Sequence, residues 1–293
     1  MTTPPVILVT GSNGQLGSEL RELAPANPQY KFVFFSRTEL SIENREEVER
    51  AFALLHPQYV INCAAYTAVD KAETGKEQAM AVNATAVALL AGASRKYNAK
   101  FIHVSTDYVF DGTSREPLKE DAPVSPVNFY GASKLKGEEE AQKENPDSII
   151  IRTSWVYSFY GKNFVKTMLR LMADRDSVGV VADQFGSPTY AADLADVILQ
   201  IIRSSKWLPG IYHFSNEGVI TWAEFADEIR ELSSSKCTVQ YISTEQYPTP
   251  ARRPAYSVMD KNKIVSTYGI ALKPWRESLR ACLQKLKKGS VET

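Results

Sequence analysis

The stretch VILVTGSNGQLGSEL, residues 6–20, decides the fold of this chain. Its first five residues form a short apolar run that stops at a glycine, which is typical of a strand buried on both faces. Gly11, Gly14 and Gly17 follow at a spacing of three, and a helix is predicted from Gln15. Glycines in such a turn let the backbone approach a pyrophosphate at the helix N-terminus. The stretch therefore predicts a dinucleotide-binding turn, with a turn that only permits helix–strand packing as the alternative.

The pattern of a strand followed by a helix continues through the first half of the chain, where apolar runs alternate with segments of helical periodicity. The apolar runs are 31–35, 59–62, 101–105 and 149–152, and the helical segments are 43–55, 77–97 and 130–145. Strands that alternate with helices predict βαβ units and a parallel sheet. We therefore predict an α/β fold, a doubly wound parallel sheet of the Rossmann type, with a smaller α+β substrate lobe. The expected domains are 1–153, joined by some elements from about 186–205, and 154–293.

Composition limits the classes of function. The 293 residues carry 34 Lys and Arg against 34 Asp and Glu, so no net charge attracts nucleic acid or an anionic membrane. No apolar run approaches the ~20 residues that a membrane span needs, and the N-terminus lacks the pattern of a signal peptide. Three widely spaced cysteines and three isolated histidines match no metal pattern. We expect a cytoplasmic protein that needs no metal.

The identity of the cofactor depends on the end of the second strand. An acidic residue there would hold the ribose 2′-hydroxyl of NAD, but this chain has Ser36 and Arg37. A guanidinium suits a 2′-phosphate, so NADP (as NADPH) is favoured over NAD, unless Arg37 is solvated or pairs with Glu39. The residues expected to contact the cofactor are Gly11, Asn13, Gly14, Gln15, Leu16, Gly17, Ser36, Arg37, Cys63, Ala64, Ala65, Tyr130 and Lys134.

A candidate proton donor begins the helix at NFYGASKLKGEEEAQ, residues 128–142. Tyr130 and Lys134 are four residues apart and therefore lie on one helix face. A neighbouring ammonium stabilises a phenolate, so we expect Lys134 to lower the pKa of Tyr130 and make it a general acid. The fourth strand ends in Ser105 and Thr106, at the sheet edge where ligands bind in open α/β folds. A tyrosine and lysine on an ordinary surface helix are the alternative.

At this point the sequence resembles a known family. The glycine turn, STDYVFDG (105–112) and Tyr-x-x-x-Lys together resemble the extended short-chain dehydrogenase/reductases. Further segments resemble, within that superfamily, the dTDP-4-dehydrorhamnose reductase family: AAYTAVDKAE (64–73), RTSWVY (152–157), NFVKTMLRL (163–171), DQFGSPT (183–189) and YPTPARRP (247–254). The resemblance runs from about residue 6 to residue 280.

The resemblance implies an activity and a catalytic trio. The activity is NADPH-dependent reduction of the C4 ketone of dTDP-4-dehydro-L-rhamnose to dTDP-L-rhamnose, for cell-surface polysaccharide. Tyr130 would protonate the sugar O4, and Thr106 would hydrogen-bond the carbonyl oxygen. Lys134 would hold the nicotinamide ribose and depress the pKa of the tyrosine.

The resemblance also implies substrate contacts. Thr67 and Val69 would line the sugar pocket together with Thr106, and Trp155 would contact the sugar or base. Core packing of Trp155 is the alternative. Arg253 suits a diphosphate and a structural salt bridge equally, and Asp107 could cap its loop instead of contacting substrate.

Assembly and competing functions stay open on the sequence. The expected partner is a nucleotide sugar, and the protein is a monomer or homodimer. Some relatives bridge a dimer through a metal; Glu19 matches one of their positions, but Ala192 stands where a second glutamate is expected. The competing hypotheses are another nucleotide-sugar 4-keto reductase, an epimerase or a dehydratase. A dehydratase is disfavoured, because it would carry an Asp-Glu pair where this chain has Asp107 and Tyr108. A regulatory NADP-binding subunit, like that of methionine adenosyltransferase, is the non-catalytic alternative.

Overall fold

The structure of the chain is a computed structural model that describes residues 3–204 and 206–289. The strands are β1 (Val6–Thr10), β2 (Lys31–Phe35), β3 (Tyr59–Asn62), β4 (Lys100–Thr106), β5 (Ile149–Thr153), β6 (Val156–Tyr157), β7 (Ser177–Val181), β8 (Phe185–Gly186), β9 (Thr189–Tyr190), β10 (Gly210–His213), β11 (Ile220–Thr221) and β12 (Thr238–Ile242). The helices are α1 (Gln15–Leu23), α2 (Arg45–Leu55), α3 (Val69–Ala72), α4 (Lys76–Met80), α5 (Ala86–Lys96), α6 (Phe129–Glu144), α7 (Phe164–Asp174), α8 (Ala191–Arg203), α9 (Trp222–Ser233), α10 (Asn262–Tyr268) and α11 (Trp275–Gly289).

Six strands form one parallel sheet in the order β10-β5-β4-β3-β1-β2. From β1 the chain first moves outward to β2 and then crosses to β3 on the other side. The strand order therefore reverses between β1 and β3, and a ligand crevice is expected at the carboxyl ends of these two strands. The predicted doubly wound parallel sheet is confirmed.

Alternate residues of each central strand enter opposite cores. Ile7 and Val9 of β1 pack with α1 and α8 on one face. Leu8 packs on the other face, in a cluster that includes residues of α2, α5 and α6. Because both faces are covered, Ile7, Leu8 and Val9 are all apolar, and the body of the strand shows no alternation with polar residues.

A second, smaller set of elements packs beyond the sheet. Here β7 and β12 form a two-stranded parallel sheet, and α7, α9 and α11 bury a separate aromatic and aliphatic core around it. Of the later elements, α8 packs on α1 and β10 becomes the sixth strand of the main sheet. The expected range of returning elements, 186–205, includes α8 but omits β10. The crossover through α8 delivers β10 next to β5, and a four-residue strand gives little signal of that placement.

No helix in 3–204 or 206–289 is both long and apolar enough to cross a membrane. Within these ranges no group of three or more His, Cys, Asp or Glu side chains is arranged to hold a metal ion.

Candidate active site

A cleft of about 600 Å³ opens at the carboxyl ends of β1 and β3. Its wall includes every residue expected to bind the cofactor except Gly17. Gly17 is buried in α1 instead, where a Cβ would lie 2.5 Å from the carbonyl oxygen of Gly11. Its contribution in this structure is the close packing of α1 against the glycine turn, and its direct contact with the cofactor stays a prediction.

The glycine turn forms the floor of this cleft. Gly11 has φ +66°, a conformation that suits glycine, and it starts the tight turn into α1. Gly14 occupies the N-cap position of α1 and offers no capping side chain. The N–H groups of the first turn are therefore available to an anionic group such as a pyrophosphate.

The end of β2 carries an exposed cation beside the same cleft. The Ser36 hydroxyl donates to a Glu39 carboxylate oxygen at 2.6 Å, and the Ser36 N–H donates to the same oxygen at 2.8 Å. These two hydrogen bonds hold the pKa of Glu39 below its usual value. The Arg37 side chain is 80% exposed and pairs with Glu43 at 3.6 Å, so its partner is Glu43 and not Glu39. A long ion pair at this exposure is weak, so Arg37 is available to a phosphate in the cleft.

The end of β3 provides the opposite wall. Cys63, Ala64 and Ala65 follow Asn62 there, and Thr67 lines the cleft two residues later. Burial raises the pKa of the Cys63 thiol, so it stays protonated and acts as a small wall residue.

Tyr130 and Lys134 enter the cleft from the start of α6, as expected. The Asn128 side chain caps this helix by accepting from the Gly131 N–H at 2.7 Å, which fixes the start of the helix. The phenol of Tyr130 lies near the hydroxyl of Thr106 at the end of β4, close enough for that hydroxyl to influence its pKa. The structure thus brings together the tyrosine and the hydroxyl from two segments far apart in the sequence.

The Lys134 ammonium bonds to the sheet and not to the tyrosine. Its Nζ donates to the Val104 carbonyl oxygen at 2.6 Å and lies 3.4 Å from His103 Nε2. Burial is the largest influence on this group, and it lowers the Lys134 pKa to about 8. The carboxylate of Glu138, one turn further along α6, acts in the opposite direction.

The pKa of Tyr130 moves in the direction opposite to the expectation. Burial raises it to about 12, and the nearby hydroxyl of Thr106 offsets only part of that change. The expected lowering by Lys134 is wrong for this structure, because burial disfavours a phenolate more strongly than its neighbours favour it. The phenol is therefore held protonated, which is the form a general acid needs.

Thr106 is itself oriented by its neighbours. Its hydroxyl donates to Asp107 Oδ1 at 3.1 Å and accepts from the Tyr108 N–H at 3.2 Å. Asp107 is 1% exposed, and burial raises its pKa to about 6. Asp107 therefore acts on Thr106 and the following turn, and its contact with substrate stays a prediction.

The remaining residues expected to contact substrate are not among those that line this cleft. Trp155 has φ +47° and stacks on Trp222 with ring centroids 3.6 Å apart, so packing accounts for its position. Arg253 donates to both oxygens of Asp70 at 2.9 Å, the structural salt bridge that stood as its alternative. Val69 begins α3, next to Asp70. Substrate contacts of Trp155, Arg253 and Val69 stay predictions.

Comparison with known proteins identifies the family. Residues 5–288 match the model of the family described as RmlD substrate binding domain. The chain belongs to this family. A dTDP-4-dehydrorhamnose reductase of Aggregatibacter actinomycetemcomitans is 42% identical over 284 residues, which cover 94% of this chain and 97% of that protein. The resemblance drawn from the motifs is thereby confirmed.

Two further relatives of this RmlD-family chain are similarly close. The spore coat polysaccharide biosynthesis protein SpsK of Bacillus subtilis strain 168 is 41% identical over 280 residues, covering 95% of this chain and 97% of SpsK. The crystal structure of a dTDP-4-dehydrorhamnose reductase of Bacillus anthracis, in complex with NADP, is 40% identical with a TM-score of 0.92. That match covers 97% of this chain and 100% of the other.

Glu19, which the resemblance matched to a metal-bridging position, is buried in this chain. It accepts from the Ser158 hydroxyl at 2.6 Å and from Lys285 Nζ at 3.3 Å. Burial raises its pKa despite both partners. Its carboxylate therefore joins α1 to the smaller lobe through protein groups.

Sequence reasoning missed a buried polar group behind the trio. Glu138 forms an ion pair with Arg152 at 2.7 Å, and both side chains are 2% exposed. The Ser105 hydroxyl donates to the same carboxylate at 2.5 Å. One signal was available, because Glu138 follows Lys134 at the same spacing of four that links Lys134 to Tyr130. His103 gave no signal of this kind, since its neighbours on adjacent strands are distant in sequence.

Proposed function

We propose that this chain reduces the C4 ketone of dTDP-4-dehydro-L-rhamnose with NADPH and releases dTDP-L-rhamnose. The observation that carries the proposal is the meeting of Tyr130 and Lys134 at one cleft beside the Gly11 turn, with Thr106 next to the phenol behind the cleft wall. Near-full-length identity of 42% to a dTDP-4-dehydrorhamnose reductase supports this choice of substrate. The proposed setting is the cytoplasm, with the protein as a monomer or homodimer and a nucleotide sugar as its partner.

The residues of the cleft fit a dinucleotide. The Gly11 turn and the uncapped start of α1 suit the pyrophosphate, and Arg37 suits a 2′-phosphate. Ala64 and Ala65 line the cleft after β3, and their small side chains leave room for the cofactor. NADPH is therefore the proposed cofactor, with NADH as the poorer alternative. When bound, NADPH supplies the hydride for C4.

The protein's part in the reaction is to hold the ketone and supply one proton. Thr106 holds the substrate O4 by a hydrogen bond, and Tyr130 Oη transfers its proton to O4 as negative charge develops there. The charge of Lys134 stabilises the phenolate that is left. Because Tyr130 stays protonated up to high pH, its proton is available at every working pH.

The first experiment follows loss of reduced-nicotinamide absorbance with enzymatically generated dTDP-4-dehydro-L-rhamnose. We expect rapid oxidation of NADPH, slower oxidation of NADH, and a loss of about 10²–10⁴-fold in kcat in Tyr130→Phe, the range that general acid catalysis contributes. Tyr66→Phe is the matched control, since Tyr66 also lines the cleft but has no proposed proton to transfer. Full activity of Tyr130→Phe would contradict the assignment of the acid.

The same measurement separates the competing functions. An epimerase or dehydratase would transform its sugar without net consumption of NADPH. A regulatory subunit would bind NADPH without oxidising it and would be indifferent to Tyr130→Phe, whereas the enzyme would lose turnover in that variant and keep its NADPH binding. No oxidation with this substrate, while NADPH still binds, would overturn the rhamnose assignment.

A further inference from the structure

A row of polar side chains crosses the sheet one layer below the catalytic lysine. Thr10 on β1 pairs in register with Asn62 on β3, and Asn62 pairs with His103 on β4. All three side chains are at most 1% exposed. In the layer beneath, the same face is apolar, with Leu8, Val60 and Phe101 in one core cluster. The face therefore changes from apolar to polar at the level of the cleft.

The direction of the hydrogen bonds in this row is fixed at one end. The Ala64 backbone N–H donates to Asn62 Oδ1 at 3.2 Å, and the Thr10 hydroxyl donates to the same oxygen at 2.7 Å. A backbone N–H is always a donor, so this side of the Asn62 amide must be its oxygen. The other side is then the NH₂ group, which lies 3.0 Å from His103 Nδ1.

The amide in turn determines the tautomer of His103. Since Asn62 Nδ2 donates, Nδ1 must accept, and the proton of a neutral imidazole then resides on Nε2. The imidazole is neutral, because burial and the nearby charge of Lys134 hold the His103 pKa well below its usual value. Nε2 lies 3.4 Å from Lys134 Nζ. An N–H bond is therefore directed at the lysine nitrogen.

This arrangement distinguishes the two protonation states of the lysine. An ammonium has three N–H bonds and no lone pair, so it presents a second donor to His103 Nε2–H. A neutral amine has a lone pair that accepts from Nε2–H while one of its own N–H groups still donates to the Val104 carbonyl oxygen.

We propose that His103 is a positioning residue that holds Lys134 Nζ and shifts its protonation balance toward the neutral amine. This inference rests on the proposed function, because Lys134 has a catalytic task only in a reductase. The lysine then exchanges a proton with water near working pH and is not a fixed cation. Its loss of charge sets the alkaline limit of the reaction.

Other charged groups near Lys134 act on the same balance. The titratable groups around it are Cys63 just after β3, His103 on β4, Tyr130 and Glu138 on α6 and, reached through Glu138, Arg152 on β5. Glu138 favours the ammonium, but the ion pair with Arg152 compensates its charge. His103 is the group that favours the amine by a directed hydrogen bond.

The direct test is ¹⁵N NMR of the wild-type protein labelled at its three histidines. We expect His103 as the neutral Nε2–H tautomer throughout the pH range of activity. His213 is an internal reference for the other tautomer, Nδ1–H. Its Nδ1 lies 3.2 Å from the Asp260 carbonyl oxygen and must carry the proton, because a carbonyl oxygen only accepts. An Nδ1–H tautomer or an imidazolium at His103 would overturn the proposal. This readout needs no turnover, so it is independent of the proposed function.

The second test is the pH profile of kcat in His103→Leu. Losing one neutral hydrogen bond corresponds to roughly half to one pH unit, so the alkaline limb should move upward by about that amount. Phe101→Leu is the matched control, a buried ring two residues away on the same strand face that carries no polar group. It should leave the limb in place. If the alkaline limb of kcat stays in place in a folded, active His103→Leu variant, the proposal is overturned. If that variant does not fold, the NMR result decides.

Discussion

Tyr130 and Lys134 lie one helical turn apart, and burial shifts their pKa values in opposite directions. The pKa of the phenol rises to about 12 and that of the ammonium falls to about 8. Each group is thereby pushed toward its neutral form, as desolvation requires. The lysine is the group that titrates nearer to neutral pH, while the tyrosine keeps its proton.

The first prediction at this scale concerns pH. Lys134 is charged below a pKa of about 8 and neutral above it, so kcat should be level below about pH 8 and fall as the pH rises further. The fall should approach tenfold per pH unit. Lys134→Arg should lower the rate and remove this limb, because a guanidinium does not titrate there. A wild-type profile that stays flat to pH 10 would contradict the role of Lys134.

The second prediction concerns the coenzyme. Arg37→Ala should raise KM for NADPH by about 10–100-fold, since a charge-assisted hydrogen bond contributes roughly 1.5–3 kcal/mol. KM for NADH should change little, because NADH has no 2′-phosphate. Arg50→Ala is the matched control, an exposed arginine on α2 outside the cleft. Equal losses with both coenzymes would show that Arg37 does not recognise the 2′-phosphate.

At the residue scale, local patterns predicted the trio and the cleft wall but not the groups behind them. The spacing of Tyr130 and Lys134 is visible in the sequence because a helix brings positions i and i+4 together. The contact between His103 and Asn62 depends on strand register, which no local pattern encodes. The pKa direction of Tyr130 was missed for a related reason, since burial is set by the whole fold.

Among the elements, the segment between α4 and α5 departs most from its sequence pattern. The alanine-rich run predicts one helix over 77–97, but residues 81–85 form a wider π-helical turn between α4 and α5. Asn83 in this turn uses its side chain to bond both the N–H and the carbonyl of Tyr66, and the Ser133 hydroxyl. Such turns often occur at functional sites, and this one supports the loop after β3 and the helix of the trio.

The close approach of this turn to α6 gives the third prediction. A Cβ at Gly137 would lie 2.0 Å from the Asn83 carbonyl oxygen, so Gly137→Ala must push α6 away from the turn. We expect a loss of about 1–3 kcal/mol in the free energy of unfolding, measured by urea denaturation, together with lower kcat. Gly92→Ala on α5 is the matched control, since its nearest neighbour is 3.7 Å away. It should be neutral or stabilise by about 0.5–1 kcal/mol.

Strands and regular α-helices were predictable at this scale, whereas the π-helical turn and the placement of β10 were not. The strand at Val6–Thr10 and the helix at Gln15–Leu23 match the sequence expectation because apolar runs, glycines and helical periodicity are local signals. The π-helical turn and the entry of β10 into the main sheet depend on contacts between distant segments. Those contacts decide between conformations that the local sequence allows equally.

In the whole molecule, the first helix after the glycine turn also joins the two lobes. Gln15 bonds Val156 and Asn163 of the smaller lobe, at 3.3 and 3.0 Å. Glu19 bonds Ser158, and Lys285 of α11 reaches the carboxylates of α1. The element proposed to bind the pyrophosphate is therefore also the element that orients the smaller lobe over the cleft.

The central claim, transfer of a hydride to C4 of a nucleotide sugar, is tested most directly by following the hydride itself. The wild-type protein is given dTDP-4-dehydro-L-rhamnose and NADPH deuterated on the transferred position, and the product is examined by NMR. We predict deuterium at C4 of dTDP-L-rhamnose, one per NADPH consumed, and no such product from Tyr130→Phe on the same time scale. Product without deuterium at C4, or deuterium at another carbon, would contradict the proposed reaction.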